Sequence, residues 1–228
     1  MRSFHYSVIA LASVAGFIAL MGSPTVPPAQ AAQQATTASA PATGAATQPL
    51  KWYVYKDADS KENHGVWSNI MPAEGAGMIS LSLVDKTDPK FGETAVRMTV
   101  TFKTPNWCGL AVACAPDYWG KEPSVAAWDL RGAKKLVFWA RGDKGTESIQ
   151  VKTMVTGGER FGDSTTIAPA TPWLSLTKGW KQYELSLEGV DASRVVTNFC
   201  VVTNKDHNEN AAITFYLDEI YVEMGGGK

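Results

Sequence analysis

The stretch from Ala212 to Glu223, AITFYLDEIYVE, constrains the fold more than any other. Aromatic and branched residues alternate there with polar ones, and a period of two is the mark of a β-strand. Along a regular strand, Asp218 shares its side with Ile220 and Val222. A carboxylate among apolar neighbours has to be paired, hydrogen-bonded or bound to a metal. A closing strand of this kind predicts a sealed β-sandwich with an internal acid.

The same alternation runs through Met78–Val84, Ala95–Lys103, Trp107–Ala115, Lys134–Arg141, Ser148–Thr156, Gln182–Leu187, Asn198–Thr203 and Ile213–Val222. Clusters of Gly, Pro, Asn and Asp separate the runs, as turns require. Short strands with turns between them predict an all-β fold, a two-sheet antiparallel β-sandwich with apolar faces packed together. In the Ser148–Thr156 run, Gln150, Lys152, Met154 and Thr156 lie opposite Ile149, Val151, Thr153 and Val155. That strand should offer a polar outer face on which a ligand groove can be built.

The N-terminus reads as a processing signal. Arg2 supplies a positive end, Val8–Met21 is an apolar run, and Ala29-Gln30-Ala31 presents small residues for a signal peptidase. The run falls short of the roughly 18–20 residues that cross a bilayer. Residues 1–31 are therefore expected to be cleaved, leaving no membrane span and a secreted or periplasmic product. Residues 32–49, almost all Ala, Thr, Gln and Pro, predict a flexible tether. The ordered domain should cover 50–224, with 225–228 as a tail.

Loss of Arg2 leaves 20 basic residues against 22 acidic ones, a net charge of −2. No basic stripe tracks phosphates, so nucleic acid is not an expected partner. Eight tryptophans supply core, and in an exported chain also aromatic faces for a ligand. Cys108 and Cys114 would lie about 20 Å apart on one extended strand, too far for a disulfide. Two readings stay open: a bridge from Cys200 to one of them, or three buried thiols.

Five segments carry a family likeness: Trp119-Gly120, Asp129–Gly142 (DLRGAKKLVFWARG), Gly162-Asp163-Ser164, Trp180–Tyr183 and Phe215–Ile220. In that order they resemble bacterial secreted modules with a galactose-binding-like jelly roll, among them carbohydrate-binding modules of cellulases and related glucan-degrading enzymes. The resemblance covers about residues 52–223 and is closer for the fold than for the ligand. It implies a non-catalytic domain that docks on polysaccharide, often with a structural calcium ion. No catalytic domain accompanies it in this sequence, so targeting of an enzyme in cis is not expected.

A sugar site pairs exposed rings with planar hydrogen-bonding groups. Tyr118 and Trp119 lie in a loop between Pro116 and Gly120, and Trp173 follows Pro172 in a second turn-rich segment. The glycine-flanked loop 157–164 carries Arg160 and Asp163. These five residues are the expected ligand contacts, against core packing of the rings or a solvated loop tip. Arg141 would reach the groove or brace Asp218 or Asp129. Calcium takes six to eight oxygens, and Asp57 and Asp59 after the first strand could meet Asp218 from the last. The opposing reading gives Asp218 backbone amides or an arginine. The polar loop 204–210 reads as a solvated turn, with a rim contact to sugar as the alternative.

Retaining glycosidases hold two carboxylates about 5–5.5 Å apart. Glu219 and Glu223, four residues apart on one strand, would stand roughly 13 Å apart. No nucleophile elbow, zinc motif or phosphate loop is present. The expected function is glycan binding, to a polysaccharide or a cell-surface glycan. A structural or adhesive domain that binds protein is the alternative, and a polysaccharide-degrading enzyme stands behind both.

Overall fold

The computed structural model describes residues 49–123, 127–209 and 212–225. The expected export signal at 1–31, all but the last residue of the expected tether at 32–49, and all but the first residue of the expected tail at 225–228 lie outside the described residues. Eleven strands follow one another: β1 Leu50–Tyr55, β2 Val66–Met71, β3 Ile79–Asp85, β4 Ala95–Thr101, β5 Trp107–Ala113, β6 Ala133–Gly142, β7 Ser148–Lys152, β8 Leu174–Ser175, β9 Lys181–Ser186, β10 Thr197–Asn204 and β11 Ala212–Met224. The described residues contain two short 3-10 turns and no α-helix.

The strands form two antiparallel sheets. The first runs β3-β4-β11-β6-β9, with β1 also paired to β11, and the second runs β2-β5-β10-β7-β8. Their apolar faces meet in one core that includes Tyr55, Met98, Leu110, Phe138, Phe199 and Phe215. Phe138 of the first sheet meets Phe199 of the second edge to face, centroids 6.0 Å apart at 74°. Each such buried ring contributes about 1.5–3 kcal/mol through its removal from water. This is the all-β sandwich the alternation predicts.

β2 and β8 lie outside the alternating runs. In β2 the register shifts between Trp67 and Asn69, so the inward residues Trp67 and Ile70 are three apart instead of two. β8 is only two residues long. The Ser148–Thr156 run is shorter than expected: β7 ends at Lys152, and Met154 takes a left-handed φ of 55°. That turn sends Met154 into the core, 1% exposed, so it does not extend the polar face.

β11 also departs from regular alternation. Asp218 pairs with Trp139 and Tyr221 with Val137, which leaves Glu219 and Ile220 opposite the single residue Phe138. This β-bulge, with Glu219 at φ 45°, reverses the phase of the strand. Phe215 and Leu217 point inward before it, Ile220 and Val222 after it. The edge of β11 pairs with β4 as far as Leu217 and with β1 from Ile220 onward. Asp218 is therefore on the outer face with Trp139, opposite the side on which regular alternation places it.

The three cysteines are free thiols. Cys108 pairs with Thr203 and points into the core, whereas Cys200, three residues from Thr203, points out of the same sheet. A bridge between them would have to pass through the backbone. Burial pushes the Cys108 thiol up to about 11 and that of Cys200 to about 12.

Candidate functional site: a tryptophan-flanked groove on the second sheet

With Leu110, Val112, Ile149, Val151, Phe199 and Val201 committed to the core, the alternate residues of β5, β7 and β10 face outward. Trp107, Gln150, Lys152, Cys200, Val202 and Asn204 line a groove of about 420 Å³ there, joined by Met71, Val155, Ala168 and Trp173. β5 keeps the floor low because its outward positions after Trp107 are Gly109, Ala111 and Ala113. A Cβ on Gly109 would lie 3.1 Å from Val202 Cγ2 and 3.2 Å from Met71 Cγ, so only glycine fits the floor without displacing a neighbour. On the β2 side the buried Asn69, paired with Ala111, donates its Nδ2 to Tyr118 O at 2.5 Å. That bond ties down the loop that follows β5.

The rings stand at the two sides. Trp107 on β5 is 37% exposed. Trp173 precedes β8, three strand spacings away, or roughly 14 Å. One face of Trp173 is covered by His207, at 3.9 Å and 13°. Two amides between the rings are each held by one end. Gln150 donates Nε2 to Thr171 O at 2.9 Å, which leaves Oε1 as an acceptor. Asn204 Oδ1 accepts from His207 N at 2.9 Å and lies 2.8 Å from His207 Nδ1, which leaves its Nδ2 as a donor. The arrangement combines aromatic planes with oriented donors and acceptors, the pairing that a sugar ring needs.

Of the five expected ligand residues, only Trp173 belongs to this groove. Tyr118 is buried, its hydroxyl 2.6 Å from Glu122 O and 3.2 Å from Phe161 O. Trp119 is half-buried beside a separate hollow of about 280 Å³ formed by its own loop. Gly120, at φ +75°, lets this loop touch the next: a Cβ there would stand 2.5 Å from Gly162 Cα. Arg160 is exposed, its guanidinium 5.0 Å from the Phe161 ring centroid.

Asp163 is buried, and its carboxylate is fully employed. Oδ2 accepts from Thr156 N, Thr156 Oγ1 and Thr197 Oγ1 at 2.9, 2.6 and 2.8 Å. Oδ1 accepts from Val196 N and Thr197 N at 2.5 and 3.1 Å. The expected ligand contact is instead a clasp between the 156–163 loop and the start of β10. Asn204, at the groove, is seven residues further along β10, about 23 Å away.

Of the three acids expected around a calcium ion, Asp59 is exposed, and Asp57 and Asp218 have other partners. Asp218 accepts from Lys90 N, Phe91 N and Glu219 N at 2.8, 3.0 and 2.7 Å. Burial outweighs these bonds and raises its pKa to about 6. Asp57 accepts from Ala58 N, Glu93 N and Thr94 Oγ1. Burial opposes its ionisation, but the bonds from Thr94, Glu93 and Ala58 hold its pKa below the usual value. Asp57 and Asp218 thus fasten one loop, residues 86–94, over the outer face of the first sheet. Arg141 braces that loop through Asp88 at 3.3 Å and stacks 3.7 Å from the Tyr216 centroid; it braces neither Asp218 nor Asp129, and it does not reach the groove.

Among the described residues no group of three His, Cys, Asp or Glu is gathered to hold a metal. Oxygens already facing N–H groups do not fit a shared calcium site. A depression of about 510 Å³ over Asp57, Asp59, Lys86 and Glu93 has no ring among its lining residues and does not match the flat CH face of a sugar.

Reasoning from the sequence missed Trp107 and the stacking of His207 on Trp173, and it placed Asn204 only in a polar loop with a rim contact to sugar as the alternative. One signal was present: the outward positions of β5 run Trp, Gly, Ala, Ala, a ring beside a floor of small residues.

No protein-family model matches the chain, and no curated protein matches it. Among solved structures it is similar to a family 30 carbohydrate-binding module, with a TM-score of 0.54 and 18% identity over 79% of this chain and 91% of the other. It is also similar to the family 30 carbohydrate-binding module of a cellulosomal cellulase of Clostridium thermocellum, with a TM-score of 0.53 and 19% identity over 78% and 99%. At these identities the likeness establishes a shared jelly-roll fold.

Proposed function

We propose that this chain is an exported, non-catalytic module that binds a polysaccharide in the groove of the second sheet. The observation that carries the reading is the pairing of Trp107 and Trp173 with two amides that are each fixed at one end. Ring planes attract the CH faces of pyranoses, and amides at set positions select among hydroxyl arrangements. The fold shared with carbohydrate-binding modules adds support.

Binding without bond breaking suits the lining, which among the described residues contains one ammonium and no carboxylate. A glycosidase needs a pair of acids. Affinity electrophoresis on a panel of β-glucans, mannans, xylans and pectins tests the proposal. Retardation on a polysaccharide that disappears in Trp173→Ala supports it, and uniform mobility across a broad panel refutes it. Release of reducing ends or unsaturated products from the panel would instead mark an enzyme.

A further inference from the structure

Among the described residues, Lys152 is the single charged side chain in the groove lining. It sits on the outer face at the end of β7, paired across to Cys200 on one side and bridged to Ala170 on the other. Both neighbours are small, so the ammonium has room above them. It is half-buried, and among the described residues no carboxylate lies within ion-pair distance of it. Asp206, the acid near Trp107, is on the rim and accepts from Asn106 Nδ2 at 3.2 Å. A cation drawn partly out of water without a partner is unfavourable, and an otherwise neutral groove concentrates its field on whatever enters.

The position matches a substituent on a ring edge. Continuing the β7–β8 pairing of Ile149 with Leu174 by one residue places Trp173 beside Gln150. Lys152 is two residues further along β7, roughly 6.6 Å. A pyranose stacked on Trp173 would direct its edge along the strand toward that ammonium. We infer that the ligand is an acidic polysaccharide, whose carboxylate or sulfate group is received by Lys152. This inference rests on the groove being a glycan site.

The test uses the processed full chain in affinity electrophoresis and calorimetry. Polygalacturonate, alginate and a carrageenan are compared with their carboxyl-reduced or desulfated forms and with neutral glucans. The expected result is binding to one acidic polymer that is lost when its acid group is removed. Which polymer binds tells carboxylate from sulfate. Lys152→Met should weaken that binding about tenfold or more, Lys152→Arg should retain most of it, and added salt should weaken it further. Equal binding of acidic and neutral polymers, with Lys152→Met unchanged, overturns the inference while leaving the groove a glycan site. No binding to any polymer overturns both.

Discussion

The imidazole of His207 lies flat on the indole of Trp173, with centroids 3.9 Å apart and planes 13° from parallel. The same ring places Nδ1 2.8 Å from Asn204 Oδ1. An amide oxygen only accepts, so Nδ1 carries the hydrogen. One side chain thereby sets the plane of a groove ring and the direction of a groove amide.

Replacing His207 by Ala should leave the fold intact, because the residue is exposed. It should lower glycan affinity about threefold to tenfold, the scale of a lost aromatic stack. Calorimetry on the polymer that binds the unmodified protein measures this. Unchanged affinity would reduce the stack to packing at the surface.

Trp107→Ala and Trp173→Ala should each cost about 2 kcal/mol of binding or more, as central aromatic contacts do. Trp119→Ala should bind like the parent, since its hollow is formed by its own loop and lies apart from the groove lining. A larger loss from Trp119→Ala than from Trp173→Ala would move the site to the loop after β5.

Asp163→Asn removes an acceptor from a buried set of five donors. An amide nitrogen in that place meets N–H groups head on. The variant should lose about 2–3 kcal/mol of stability, read by urea denaturation, while its folded fraction keeps full glycan affinity. Reduced affinity at unchanged stability would return Asp163 to the ligand site.

Asp218 has a folded pKa near 6, above its ordinary value of 3.8. The folded chain therefore holds a proton that the unfolded chain releases between about pH 4 and 6. Stability from this group is present below the unfolded pKa and is lost as pH rises through the folded one. Relative to Asp218→Asn, the parent should lose up to about 3 kcal/mol across that window. Parallel stability curves for the two proteins between pH 4 and 7 would contradict this.

Calcium added to chelated protein should release no binding heat at Asp57 and Asp218, whose oxygens already accept amide and hydroxyl hydrogens. A saturable heat that Asp218→Asn abolishes would show that the 86–94 loop opens to admit the ion.

Much of the fold was legible because side-chain alternation is a local property. Val96, Met98 and Val100 point inward in β4, as their spacing predicts, and Gln150 and Lys152 occupy the polar outer face expected of their strand. Local reading failed where the backbone left its period. The bulge at Glu219 put Asp218 on the face opposite Ile220 and Val222, and the left-handed turn at Met154 put that residue inside.

Sequence by itself determined the all-β class, the positions of most strands and the supply of rings and amides. Only the tertiary structure decided which of them meet. Trp107, Gln150, Trp173 and Asn204 are far apart along the chain, and the order β5-β10-β7-β8 brings them to one face. Strand order is settled by how two whole sheets bury their apolar faces together, a sum over many distant contacts that no single segment encodes.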